Sequence, residues 1–394
     1  MDNLLDHGYQ TFLKNFHQEP TAIYFAPSRI NVIGEHIDYN GGIVLPFAIS
    51  LGTYAFVAPY KDFHFLSTNI PGEVYTTAEE LDYRPEFSWG NYPLGMVKKM
   101  KEKGYNTPGF QCLFMGNIPH GAGLSSSASI EMVTGQILKD LGNHDVSPIE
   151  LALLGQKVEN EHFGLHSGIM DQFVIAMGKK DHAILLHTDS LSYEYLPLPL
   201  KNVEFIIMNT GKRRELVGGE YNRRREDCER ALKTLQAHFH IDYLCDIKEE
   251  DLPRAEGYIL KEQERKRLRH VVTENERVHK AKKAIEEQDM ETLGRILNQS
   301  HRSLQVDYEV TGPELDAITE TARAFPGCLG ARMTGAGFSG CAIALVEKEK
   351  REDFFTHVKK KYFNETGLSC ELFVATPSDG AGKLDIERIV TCQY

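Results

Sequence analysis

The sequence predicts an α+β fold in two domains, and three observations predict it. A chain of 394 residues suits two domains of ordinary size with ample core. Strand-like runs fill its first part, long charged amphipathic helices occupy its middle, and strands return near its end. No repeat, low-complexity tract or flexible linker interrupts it. The two halves, 1–200 and 201–394, are therefore expected to be tightly joined.

After a short N-terminal helix, "AIYFAPSRINVIGEH", "GIVLPFAI", "YAFVAPY" and "FHFLSTN" read as strands between turns. "FQCLFMGNIP" is another strand and runs into a loop rich in glycine and serine. From Ile130 the apolar positions Ile130, Val133, Ile137, Leu138 and Leu141 follow helical spacing. A second helix starts at "SPIE", with Ser147 as N-cap, Pro148 in the first turn and Glu150 closing a capping box, and ends near Gly164. "HAILLHT" and "VEFIIMN" are strands, and helices are expected over about 219–238, 262–288 and 290–305. "CAIALV" and "CELFVATPS" return the chain to strand around a further helix.

Bulk composition limits the function. Apolar residues make up 41% and charged residues 25%, the balance of a globular protein. Basic residues number 44 against 56 acidic ones, net −12, which argues against nucleic acid as a partner. A phosphate site remains open, because a few local N–H groups and one metal ion reverse the field. No apolar run reaches membrane-spanning length, and the polar, acidic "MDNLLDHGYQ" is not expected to be a signal peptide. Seven cysteines, at 112, 228, 245, 328, 341, 370 and 392, form no C-x-x-C pair; free thiols in a reducing cytoplasm are expected, without a zinc site.

Two glycine motifs mislead. "GAGFSG", 335–340, matches G-x-G-x-x-G, but a dinucleotide fingerprint must open a helix and this one leads into a strand. "DGAGKL" has Leu384 in place of the required Ser/Thr and Pro377 where the first Gly belongs, so it is not a Walker A loop.

Four stretches carry chemistry, each with a plainer alternative. "GNIPHGAGLSSSASIE", 116–131, lies between strand and helix, the context of a phosphate cradle. Glycine permits close approach, and the helix adds its positive end; a solvent-exposed Gly/Ser loop has the same composition. "APSRINVIGEHIDYNGGIVLP" packs Arg29, Glu35, His36 and Asp38 at a strand end, where they suit the hydroxyls of a polyol or a polar hairpin turn equally. In "HSGIMDQF" Asp171 is a buried base or a helix N-cap. Glu159 sits on the capped helix beside Ala152 and Gly155, small residues that let a backbone or ligand approach; it reads as a metal ligand or a surface residue. The basic run "NTGKRRELVGGEYNRRREDCERA" reads by default as a solvated helix face.

Together these stretches resemble the GHMP small-molecule kinase superfamily and, within it, the galactokinase family. The family's first motif, Arg-x-Asn-x-Ile-Gly-Glu-His-x-Asp-Tyr, matches Arg29 to Tyr39. Its Gly-Leu-Ser-Ser-Ser-Ala-Ser loop is 123–129, Gly-Ile-Met-Asp-Gln is 168–172, and Glu-Tyr-Asn-x-Arg-Arg is 220–225. "RMTGAGFSGC", "VVTENERV" and "SHRSLQVDYEVT" extend the likeness from about residue 20 to the end. Ser28 stands where the pattern usually has Gly, Ile37 where it has Thr, and Ala336 and Ser339 where it has glycines. "LLHTDSL" also departs from the usual Asp-Cys-Arg-Ser-Leu. None of these changes removes a charged site residue, so they bear on substrate tuning rather than on the reaction.

The resemblance implies a two-domain GHMP kinase fold: a mixed-sheet N-terminal domain, a ferredoxin-like α+β C-terminal domain, and the active site between them. It implies ATP-dependent phosphorylation of D-galactose at the anomeric hydroxyl, the first committed step of galactose catabolism, with Mg²⁺ required. Carried over by position, Gly121, Ala122, Gly123, Leu124, Ser125, Ser126 and Ser127 wrap the ATP phosphates, and Ser67 borders the nucleotide. Ser127 and Glu159 hold the metal, and Glu35, His36, Ile37, Asp38 and Tyr221 meet the sugar. Asp171 is the base for the anomeric hydroxyl, and Arg29 stabilises charge on the transferring group. The resemblance also admits a kinase for N-acetylgalactosamine, arabinose or galacturonate, or a non-catalytic galactose and ATP sensor. Neither nucleic acid nor membrane is expected as a partner, the expected location is the cytoplasm, and the oligomeric state stays open, a monomer being compatible.

Overall fold

The computed structural model describes residues 2–119, 123–212 and 218–385. The chain opens with helix α1 (Asp2–Phe16) and strands β1 (Ala22–Asn31), β2 (Ile43–Val44), β3 (Pro46–Pro59), β4 (Phe63–Ser67) and β5 (Glu73–Thr76). Helix α2 (Asn91–Glu102) leads to β6 (Phe110–Gly116). Helices α3 (Ser126–Leu141), α4 (Pro148–Lys157) and α5 (Met170–Met177) precede β7 (His182–His187) and β8 (Tyr193–Pro197). The second half holds β9 (Val203–Asn209), α6 (Gly218–Leu235), α7 (Leu252–Tyr258), α8 (Glu262–Glu286), α9 (Met290–Ser303) and α10 (Pro313–Arg323). It closes with β10 (Cys328–Met333), β11 (Cys341–Glu347), α11 (Arg351–Thr366), β12 (Glu371–Val374) and β13 (Gly382–Lys383).

The first sheet runs β13-β1-β3-β6-β4-β5; the β4–β6 pairing is parallel and the others antiparallel, so the sheet is mixed as expected. Alternation along its strands sorts side chains to two faces. Ile23, Tyr54, Phe56, Leu113 and Met115 pack with Leu5 and Phe12 of α1, while Ala55, Val57, Cys112 and Phe114 join the main core. Helices α3 and α5 pack against β1 and β3, which carries the helix ends toward the end of β1. A fully buried ring such as Phe12 or Phe56 contributes roughly 1.5–3 kcal/mol. In the second half β9, β10, β11 and β12 with their helices form a β-α-β-β-α-β unit of order β12-β9-β11-β10, the ferredoxin-like arrangement. Among the described residues no helix is long and apolar enough to cross a membrane.

Local expectations needed three corrections. The first strand stops at Asn31 rather than running to His36, because the backbone turns through positive φ at Gly34 (+101°) and His36 (+62°). "GIVLPFAI" and "YAFVAPY" are not two strands: Pro46–Pro59 is continuous, with only Ile43–Val44 set apart in the sheet β2-β7-β8. Gly52 punctuates the sequence because it faces the bulge at Pro27/Ser28, where an added Cβ would lie 2.2 Å from the Ala26 carbonyl oxygen. Ser147 does cap α4, its Oγ accepting from the Glu150 amide at 3.1 Å, but no capping box closes, since the Glu150 carboxylate bonds Tyr105 instead.

Candidate active site

A cavity of about 480 Å³ opens where the end of β1, the start of α3 and the start of α5 meet residues of the second half. The register shift at Pro27/Ser28 precedes Arg29, whose guanidinium is 3% exposed as a residue and grips Asp171 in a fork: Nε to Oδ1 at 2.7 Å and Nη2 to Oδ2 at 2.8 Å. Its Nη1 donates to the Gly123 carbonyl at 3.3 Å. Asp171 lies inside the first turn of α5, after Ile169 at the cap position, so it is not an N-cap. The Ser125 hydroxyl also donates to it. One carboxylate thus joins the first motif, the serine loop and α5.

The loop itself is held in an uncommon backbone shape. Gly123 has φ +68° and Ser125 φ +58°, left-handed values that a non-glycine residue adopts only when its surroundings enforce them. Gly123 to Ser127 line the cavity, with Ser126 exposed. Gly121 and Ala122 lie outside the described residues. Ser127 donates to Glu159 Oε1 at 2.9 Å. Glu159 is 7% exposed, on the π-helical turn Val158–His162 that continues α4. Burial raises its pKa first, nearby Asp171 adds to this, and the Ser167 and Ser127 hydrogen bonds oppose it. The small-residue strip has a packing role: a Cβ at Gly155 would meet Met132 and Gln172, so helices rather than a ligand approach there.

His36 and Asp38 form the other wall. Burial pushes the His36 pKa down to about 3, so the ring is neutral. Its Nε2 lies 3.1 Å from the Ala336 carbonyl and must donate there, which leaves Nδ1 to accept from Tyr39 Oη at 2.8 Å. Tyr39 then accepts from Tyr308 at 2.8 Å, and Tyr308 accepts from the Cys228 thiol at 3.2 Å. The Tyr221 ring packs against the His36 ring at 5.6 Å between centroids, tilted by 41°. Asp38 sits against Gly168, where a Cβ would fall 1.9 Å from Oδ2; only glycine leaves the carboxylate its place. Burial, then Asp171 and Glu35, push the Asp38 pKa from the ordinary 3.8 up to about 7.

That shift has a definite sign. The native state holds the Asp38 proton more tightly than the unfolded chain, so this group's stabilisation is complete below about pH 4 and declines as pH rises to about 7. Asp38→Asn removes the titration. In thermal melts without substrates the variant should gain on the parent between about pH 4 and about pH 7 and level off above that. A difference independent of pH would show that Asp38 stays ionised throughout.

Other expected residues are placed differently. Glu35, 1% exposed, accepts from Thr334 Oγ1 at 3.0 Å and the Gly335 amide at 2.8 Å, with Arg332 Nη2 at 3.1 Å, so it edges the cavity while tying the first motif to "RMTGAGFSGC". Ile37 is fully buried and its side chain packs beside Gly42, away from the cavity lining. Ser67 ends β4 and accepts from the amides of Asn69 (3.2 Å) and Ile70 (3.3 Å), also outside the lining. The basic run is more than a solvated face, though residues 213–217 lie outside the described residues. Arg224 donates to the carbonyls of Tyr308 and Glu309, both at 2.8 Å, and Arg225 donates to that of His166 at 2.6 Å. The third-motif glycines enter strand β11 with φ +84°, +79° and +93° at 335, 337 and 340, which bears out the exclusion of a dinucleotide fold.

Glu131 escaped sequence reading. It is fully buried one turn after Ser127, receives Gln172 Nε2 at 3.0 Å, and its pKa is raised well above normal by burial and by Glu159. Its only sequence signal was the i, i+4 spacing from Ser127.

Asp38, Glu131, Glu159 and Asp171 crowd one region beside the buried Arg29 guanidinium. Such an excess of carboxylate oxygen fits a hard divalent cation, and the Ser127–Glu159 pair supplies the right donor type. Among the described residues no group of three or more His, Cys, Asp or Glu forms a closed metal cage.

Known proteins match this geometry. A galactokinase galactose-binding signature matches residues 10–59, the GHMP kinase N-terminal domain matches 91–179, and the GHMP kinase C-terminal domain matches 281–364. A galactokinase of Enterococcus faecalis is 47% identical over 378 residues, covering 95% of this chain and 98% of its own. One of Clostridium perfringens is 45% identical over 379 residues, with the same coverage of 95% and 98%. The crystal structure of Lactococcus lactis galactokinase complexed with galactose superposes with a TM-score of 0.94 at 40% identity, covering 96% of this chain and 100% of that one. A mevalonate kinase at 20% identity and TM-score 0.67 shares the fold. With identity above two-fifths sustained over nearly the whole length, and the first motif, serine loop and α5 carboxylate meeting in one cavity, the chain belongs to the galactokinase family of the GHMP kinases.

Proposed function

We propose that the chain transfers the γ-phosphoryl group of ATP to the anomeric hydroxyl of D-galactose, giving ADP and galactose 1-phosphate. The observation that carries this reading is the position of Asp171, held by Arg29 and Ser125 where the serine loop meets the pocket of His36 and Asp38. In the reaction the sugar O1–H bond breaks toward the Asp171 carboxylate, O1 bonds to the γ-phosphorus, and the bond to the β-phosphate oxygen breaks. The fork from Arg29 keeps the carboxylate aimed, and the guanidinium charge lies beside the group being transferred. Positioning and electrostatics supply most of the catalysis in such transfers. Ser127 and Glu159 would hold Mg²⁺, which supplies neutralisation of phosphate charge when bound with the nucleotide.

Residues 1–200 and 201–394 serve as the two domains of this reading. The first carries Arg29 and Asp171 and the second contributes Tyr221, Gly335 and Ala336 to the same cavity. The six described cysteines are all free, which suits work in a reducing cytoplasm.

A coupled ADP-release assay over galactose, N-acetylgalactosamine, arabinose, galacturonate and glucose tests the assignment. Galactose should give the highest kcat/KM. No ADP from any of these sugars with Mg-ATP would make the chain a sensor of its ligands. The metal assignment has its own check. Glu159→Gln should raise the Mg²⁺ concentration for half-maximal activity by roughly tenfold or more, since replacing even an outer-shell partner of a metal costs 10–100-fold in affinity. Unchanged Mg²⁺ dependence would remove Glu159 from the metal site.

A further inference from the structure

Ser28 is completely buried on β1, directly after the bulge at Pro27/Ser28, and does not line the cavity. Its hydroxyl donates to the main-chain carbonyl of Leu124, in the middle of the serine loop. Two further ties flank this bond. Arg29 Nη1 reaches the Gly123 carbonyl at 3.3 Å, and Ser129 Oγ reaches the Ala26 carbonyl and Thr53 Oγ1, both at 2.9 Å. Ala26, Ser28 and Arg29 of one strand therefore hold the loop at Gly123 and Leu124 and the first turn of α3 at Ser129.

The loop needs holding, because Gly123 and Ser125 both keep left-handed backbone angles. Arg29 is shared with Asp171, so its hold on the loop is tied to the carboxylate. Ser28 makes no other side-chain hydrogen bond among the described residues. Leu124 is 1% exposed, so water does not replace the hydroxyl once it is removed. A buried acceptor left without a partner forces either a desolvation penalty or a change of loop shape.

We infer that Ser28 is a positioning residue for nucleotide binding: a latch that keeps the phosphate loop in its binding shape from the sheet side. The inference rests on the kinase reading above. A site formed by loop backbone binds in proportion to the fraction of time the loop is correctly shaped, so apparent affinity falls as that fraction falls.

The test uses the full chain with Ser28→Ala and with Ser28→Gly, both of which remove the hydroxyl. Calorimetric Kd values for ADP and for galactose are measured alongside KM for ATP, kcat and Tm. Both variants should weaken ADP binding and raise KM for ATP by about 3–10-fold, while galactose affinity and kcat at saturating ATP stay within about twofold of the parent. Parental ADP affinity in either folded variant overturns the inference, whatever happens to Tm. Equal losses for ADP and galactose, or failure of both variants to fold, would make Ser28 a general structural residue and overturn it as well. Failure of the parent itself to bind ADP would count against the kinase reading and is read separately from the variants.

Discussion

Asp171→Asn should lower kcat by roughly 10²–10⁴, the range for removing a positioned acid or base, while leaving the Kd values for galactose and ATP within a few-fold of the parent. Asparagine keeps the shape of the side chain and can still accept from Ser125, but it cannot take a proton. It also offers Arg29 one acceptor oxygen in place of two, and the 2.7 and 2.8 Å fork is lost. The pair is only part-buried, but the substitution leaves the buried Arg29 guanidinium without its fork, so Tm should fall too. The two effects separate cleanly. Single-turnover rates on the folded fraction report the chemistry, and melts report the lost pair. A folded variant whose kcat changes less than about threefold would leave Asp171 as an anchor for Arg29 and nothing more.

What the sequence revealed about this site was what local chemistry determines. The serine loop was legible because glycine, serine and a following helical period occur together, and the loop does run from β6 into α3. The cluster from Arg29 to Asp38 was visible for the same reason: ten residues hold four polar groups at a strand end. Family likeness then separated a ligand pocket from a hairpin turn, which composition alone left open. Other features depend on contacts across long stretches of chain. The fork between Arg29 and Asp171 joins residues 142 apart, and Glu35 meets Gly335 across 300. Glu131 looks like any helix-face glutamate until Gln172 of another helix is seen against it. Gly155 and Gly52 read as openings or turns because glycine carries no sign of which neighbour needs the space. In the fold, both spaces belong to packing partners. Strand β13 pairs Lys383 with Tyr24, a closure no nearby pattern announces.

The second large effect concerns which sugar enters. Galactose and glucose differ only at C4, so rejection of glucose requires a group that senses one hydroxyl direction. Asp38 is suited to that task by its surroundings. Gly168 fixes it from behind, and burial with two neighbouring carboxylates raises its pKa to about 7, against the Met170 amide and Arg225, which favour its charge. Ring hydroxyls that point at it add hydrogen bonds to the one from the Met170 amide, and a hydroxyl that points away leaves it with fewer. A hydrogen bond to a charged group is worth about 1.5–3 kcal/mol, and more is lost when the group stays desolvated. Sites built around a substrate hydroxyl reach discrimination of order 10⁴. The expected kcat/KM for galactose therefore exceeds that for glucose by at least about 10². Asp38→Ala should erase most of that preference and most of the activity. Gly168→Ala should act in the same direction, because its Cβ would displace the carboxylate. Measuring ADP release with both sugars for the parent and both variants decides the matter. Comparable turnover of the two sugars by the parent would remove Asp38 from the discrimination, and parental selectivity in Gly168→Ala would show that the carboxylate has room to move.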